Sequence, residues 1–178
     1  MPTFIEKFTN PLAMLAADHT YVKDMFTKCL QAESSMTRRL LAQEICDNLK
    51  IHATLEEEIF YPTLRELGGQ EGREFVSQAI EEHLDIKDHI ETVRHTDAEN
   101  GEFQRNIEAL RERVVRHAQK EEDMFPLAQE RLPLGELAAR MDMRRLQLLG
   151  TVRPPSGLVL MGIVMIAVGA FLFLRRRR

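Results

Sequence analysis

Two segments of this chain nearly repeat each other. The first runs His52-Ala-Thr-Leu-Glu56-Glu57-Glu58-Ile-Phe-Tyr-Pro62 and the second His117-Ala-Gln-Lys-Glu121-Glu122-Asp123-Met-Phe-Pro126. Each sets a His and a Glu four residues apart, a spacing that stacks both side chains on one helix face. Each is preceded, 33 or 34 residues upstream, by an acid–His pair, Asp18-His19 and Glu82-His83. The chain thus reads as two halves, each supplying one isolated His and one His-x-x-x-Glu. His19, His52, His83, His117, Glu56 and Glu121 offer four imidazoles and two carboxylates, a donor set for two transition-metal ions. Imidazole mixed with carboxylate, without thiolate, suits iron.

Four helices are needed to position these donors. The first runs from about Asn10, with Pro11 in its first turn, to about Ala32. Its apolar stripe Leu12, Leu15, Val22 and Phe26 includes His19. The second starts at Ser34-Ser35, carries Leu41, Ile45, Leu49, His52, Glu56 and Ile59 on its inner face, and ends at Gly68-Gly69-Gln-Glu-Gly72. The third places His83 among Val76, Ala79, Ile86, Ile90 and Val93, before a turn at Asp97–Gly101. The fourth sets His117 and Glu121 in line with Phe103, Ile107, Leu110, Val114 and Met124, and Pro126 ends or kinks it. Every candidate donor falls on an apolar stripe. A carboxylate there is costly unless neutralised, and bound iron would neutralise it. Short connections favour antiparallel neighbours, so the fold class is all-α, an up-down four-helix bundle with an internal metal site.

At 178 residues the chain is long enough for a sizeable core plus a further segment. Residues 1–139 carry a net charge of −11 and residues 140–178 one of +7. The acidic head argues against a nucleic-acid partner. Cys29 and Cys46 are widely spaced and read as two reduced thiols. Three domains are expected: the bundle over 1–132, an amphipathic basic linker over 133–156 containing a short helix from Gly135 to Leu149, and 157–178. Residues 157–174 are free of charge and abut four arginines. At roughly 1.5 Å per residue they would extend about 27 Å, enough for a C-terminal transmembrane anchor in contact with membrane lipid. The absence of a signal-peptide pattern and the reduced thiols favour a bundle facing the cytoplasm.

The order His19, His52-x-x-x-Glu56, His83, His117-x-x-x-Glu121, with an aromatic-Pro ending to both pairs, resembles the hemerythrin/HHE cation-binding family over about residues 8–130. The resemblance implies a four-helix bundle around two non-haem irons joined by an oxo or hydroxo bridge. Carried across by position, Glu56 and Glu121 would bridge the irons, His19 and His52 would cap one, and His83 and His117 the other. Oxygen-carrying members have a second His four residues after the third-helix His and an Asp five residues after the last His. Lys87 and Glu122 stand there in this chain. Fewer protein ligands leave positions open for O2, NO or peroxide.

Other residues near the motifs read more plainly. His89 faces outward and His95 sits at a helix C-terminus. Asp18, Glu82, Glu57, Glu58, Glu122 and Asp123 read as mainly solvated, and Tyr21 and Tyr61 as packing residues. The function expected from all this is a membrane-tethered di-iron protein that binds or senses O2 or NO. The alternatives are a di-iron oxidoreductase acting on peroxide or NO, and an iron-homeostasis protein; a homodimer is compatible with each.

Overall fold

The computed structural model describes residues 10–151. Four long helical rods form a bundle: α1 (Pro11–Gln31), α2 (Ser35–Leu55), α4 (Gly69–His95) and α5 (Gly101–Asp123). A five-residue π-turn, Glu56–Phe60, and the short α3 (Tyr61–Leu67) continue the rod of α2, while α6 (Phe125–Arg131) continues that of α5. A last helix, α7 (Leu134–Thr151), returns along the outside. Around the bundle α1 packs on α2, α2 on α4, α4 on α5 and α5 on α1, so consecutive rods are neighbours.

Local chemistry sets the helix ends. The Asn10 side chain accepts from the backbone N–H of Leu12 at 3.0 Å, and Pro11 follows at the first helical position. Ser34 accepts from Thr37 N–H at 3.4 Å, and Asn100 from Glu102 N–H at 2.9 Å. The turn expected across Gly68–Gly72 is shorter than the sequence suggested, because α4 already begins at Gly69. Gly69 has φ +70°, and a Cβ at Gly68 or Gly72 would lie 2.5 or 2.6 Å from the Leu64 carbonyl oxygen. The glycines therefore serve a tight reversal rather than a loop.

The apolar stripes build two core clusters with a polar layer between them. One cluster centres on Phe26, Ile45, Ile90, Phe103, Ile107 and Leu110. The other holds Leu12, Leu15, Leu55, Leu64, Leu137 and Met141. His19 lies between Leu15 and Val22, and His52 between Leu49 and Leu55. His83 lies between Ala79 and Ile86, and His117 follows Val114. All of these are buried.

The expected membrane anchor requires correction. Among the described residues no helix is long and apolar enough to cross a membrane. Residues 157–178 lie outside the described residues, so the single-pass membrane localisation drawn from them has no support, and the orientation of the bundle relative to a membrane falls with it. The helix expected from Gly135 to Leu149 is present as α7, but it carries Glu136, Arg140, Asp142, Arg144 and Arg145. It is seated on α1, α2 and the π-turn, with Leu137 and Met141 wholly buried.

Removing a large side chain from the core should be costly: Leu110→Ala, at a site with no exposure, is expected to lose about 2–5 kcal/mol. Leu84→Ala, at a position 59% exposed, should change stability by less than about 0.5 kcal/mol. Urea denaturation of the two variants checks the contrast.

Candidate metal centre

Among the described residues, the buried polar or charged side chains are His19, His52, Glu56, His83, His117 and Glu121. The structure brings all six together in the mid-bundle layer. His19 Nε2 and His52 Nε2 are 3.2 Å apart, and His83 Nε2 and His117 Nε2 are 3.0 Å apart. Glu56 spans the two pairs, with Oε1 2.9 Å from His52 Nε2 and Oε2 3.3 Å from His83 Nε2. Glu121 Oε2 lies 3.2 Å from His19 Nε2. Donor atoms of His19, His52, Glu56 and Glu121 all fall within 4.8 Å of one another, as do those of Glu56, His83 and His117.

The outer nitrogen of every ring is tied to a carboxylate. His19 Nδ1 donates to Glu122 at 2.9 Å and His52 Nδ1 to Asp18 at 3.3 Å. His83 Nδ1 donates to Glu57 at 2.8 Å and His117 Nδ1 to Glu82 at 2.9 Å. These acids, expected to be solvated, are half-buried acceptors, each held in turn by a cation. Lys23 approaches Glu122 at 3.7 Å, and Lys87 pairs with Glu57 at 2.7 Å. Lys120 pairs with Glu82, and Arg145 grips Asp18. The pattern has a twofold logic. The acid before each isolated His holds the ring of the other His in its own half (Asp18–His52, Glu82–His117). The acid after each buried Glu holds a ring in the opposite half (Glu57–His83, Glu122–His19). The signal was present in the sequence, since the isolated His and the buried Glu of each half each have an acid neighbour. The neighbour serves a different helix, which single-helix periodicity does not show.

The electrostatics follow from these ties. The His117 hydrogen bond draws Glu82 down to about 2, and that from His83 lowers Glu57. Burial works against ionisation of Asp18, but His52 and Arg145 outweigh it and lower its pKa. Three of the four acceptors are thus held ionised at neutral pH, and a carboxylate only accepts, so Nδ1 carries the hydrogen and the Nε2 lone pair points inward. Two inward lone pairs about 3 Å apart repel unless a cation or proton lies between them. Burial works against a charged His83, but Glu56 and Glu57 push it up to about 9, while burial lowers His117. Burial and the neighbouring Glu56 push Glu121 up to about 7. All four oxygens of Glu56 and Glu121 are buried without a hydrogen-bond partner. Orphaned carboxylate oxygens facing imidazole nitrogens fit a metal cation, with ring protons as its competitors.

One further oxygen enters the layer. Tyr61 is buried, with its hydroxyl 3.4 Å from His83 Nε2 and 3.3 Å from His117 Nε2. Tyr61 is the extra residue of the first near-repeat: Phe60-Tyr61-Pro62 answers to Phe125-Pro126. The helix absorbs that extra residue as the π-turn, closed by Tyr61 N–H to Glu56 C=O. The mismatch in length between the two copies was the signal for it. Burial raises its pKa well above the ordinary phenol value.

Other candidates stay outside the site. His89 and His95 each donate from Nδ1 to the main-chain carbonyl four residues back, at 2.8 and 2.7 Å. Cys29 and Cys46 are buried in the core away from the layer, and burial pushes both thiols up to about 11.

The family model of the Hemerythrin HHE cation binding domain matches residues 10–128. This chain belongs to the hemerythrin HHE family. Comparison with curated proteins finds no match. Among solved structures, this HHE domain is similar to a hemerythrin HHE cation binding domain-containing protein from Mycobacterium kansasii. The two share 24% identity at a TM-score of 0.67, over 79% of this chain and 88% of that one, a likeness of fold. The helical fold, the family and the clustered donors together make this a metal-binding protein.

Protons and metal ions compete for the same Nε2 lone pairs. Metal uptake should expel the proton that His83 holds up to about pH 9. Apparent affinity should therefore rise with pH, about tenfold per unit for each proton released, across the range below about pH 9. Calorimetric titration in buffers of differing ionisation enthalpy checks it; an affinity independent of pH would mean that the rings are not displaced from their protons.

Proposed function

We propose that this HHE domain holds two iron ions in the mid-bundle layer and binds a small diatomic molecule, O2 or NO, beside them. The ligands in this reading are His19 and His52 for one ion and His83 and His117 for the other. Glu56 and Glu121 would be shared between the two ions, whose bridge would be oxo or hydroxo. A donor set of nitrogen and oxygen without thiolate supports iron over softer-ligand metals. Six protein donors for two ions leave coordination positions open. Bound iron would supply a Lewis-acidic, redox-active partner for the ligand. The chain's own residues hold the rings in one tautomer, keep bulk water out and shape the space.

The observation that carries the reading is a cavity of about 40 Å³ against all four imidazoles. Its aliphatic lining includes Val22, Leu49, Ile86 and Val114, one residue from each rod of the bundle. A single water needs roughly 10–15 Å³ of such space, so the cavity admits a ligand of a few heavy atoms, a diatomic among them. The aliphatic part of the lining suits an uncharged diatomic. Tyr61 supports a second reading, an oxidoreductase acting on peroxide or NO, because its O–H can donate to a ligand oxygen at the His83–His117 pair.

Metal analysis followed by rapid mixing of the reduced, iron-loaded chain with O2 and NO tests the proposal. Two irons per chain and a ligand-dependent optical change are expected; iron without any ligand response overturns it. Val114→Phe should fill the cavity at a cost of roughly 1–3 kcal/mol in stability, leave the iron content unchanged and slow ligand binding. Turnover of peroxide by the wild type that Tyr61→Phe reduces would favour the second reading.

A further inference from the structure

The four acid–His ties share one plan, but their outer cations do not share one source. Lys23 stands four residues after His19, Lys87 four after His83 and Lys120 three after His117, each on the same rod as the imidazole it follows. After His52 the corresponding places are Leu55 and Glu56, both wholly buried. The bundle therefore places no cation there for Asp18, the acceptor of His52.

Arg145 of α7 supplies it, gripping Asp18 from 127 residues away in sequence, at 3.0 Å from Nη1 to Oδ1 and with a second contact from Nη2. This helix lies beyond the residues matched by the family model. It is seated by Leu137 and Met141 in the core and by Arg144, which clamps Glu58 with two hydrogen bonds of 2.6 and 2.9 Å. Arg145 also lines the cavity beside the imidazoles. With Asp18, Tyr21 and Asn48 it forms the polar part of a lining that is otherwise apolar or imidazole.

We infer that α7 is a working part of the metal centre: Arg145 positions His52 through Asp18 and closes the polar end of the ligand cavity. Retention of the ion at His19–His52 and the rate at which ligands reach the centre both depend on α7 being seated. The inference rests on the metal-binding reading above. Asp18 is only partly buried, and without Arg145 it keeps no cation and turns toward water, so the His52 ring loses its fixed acceptor. Loss of such an outer partner typically costs about 10- to 100-fold in metal affinity. Lys120 does the same work for His117 but does not line the cavity.

The test uses the full chain loaded with ferrous iron, a colour-forming chelator to follow release, and azide as a small probe of access. The wild type should release both ions slowly. Arg145→Ala should release one ion about 10- to 100-fold faster, leave the other at the wild-type rate, and bind azide faster. Lys120→Ala should also free one ion faster but leave the azide rate unchanged. Arg145→Lys, which keeps the charge, should restore much of the retention. Arg144→Ala, which loosens α7 without touching Asp18, should speed azide binding. Should Arg145→Ala fail to fold, Asp18→Asn reads the same tie by the same selective release. Equal loss of both ions, or unchanged release and access in Arg145→Ala, overturns the inference. A wild type that takes up no iron overturns the metal-binding reading instead.

Discussion

The energetic constraint on this molecule is the cost of putting two carboxylates and four imidazoles where leucines and isoleucines would otherwise meet. Glu56 and Glu121 have no exposure, and their oxygens have no hydrogen-bond donors. In a medium of low dielectric such groups are tolerable only when opposed by charge. The rest of the middle of the bundle answers that requirement. Imidazole nitrogens face the carboxylates, four acids hold the far side of the rings, and lysines and an arginine hold the acids. Charge alternates in sign from the centre of the bundle to its surface.

The two halves are alike in plan and unlike in detail. Both supply an isolated imidazole and a His-x-x-x-Glu pair, and both recruit the same kinds of acid. The first half adds a phenol through a single inserted residue, and the same half borrows an outermost cation from a helix outside the repeat. The His83–His117 pair therefore lies beside a hydroxyl, and the His19–His52 pair beside a cavity edge that α7 completes. Two imidazole pairs built from the same motif are therefore not chemically equivalent.

Much of this was legible in the sequence, for an identifiable reason. Helix periodicity placed His19, His52, Glu56, His83, His117 and Glu121 on core faces, and helix geometry is local. Caps at Asn10 and Ser34 were legible on the same ground. The acceptors Asp18, Glu57, Glu82 and Glu122 were not, because each lies at the edge of its own helix and its partner is on another. Lys87 stood out only as a departure from the oxygen-carrier pattern, yet its role is to hold Glu57. The tight start of α4 hid behind glycines that ordinarily mark a loop. The docking of α7 depends on tertiary fit: its sequence is amphipathic and basic, and nothing local says which surface it covers.

The mid-bundle layer also settles a question that apolar packing leaves open. Stripes of similar aliphatic side chains can slide past one another by a helical turn, about 5.4 Å, at modest cost. Here such a slip would carry Glu56 or Glu121 into a wall of leucines and part each ring from its acid. The polar layer is thus a vernier for the fold: it admits one alignment of the four rods and penalises the neighbouring ones. The atoms that suit the centre to a metal are the same atoms that set the register of the helices around it.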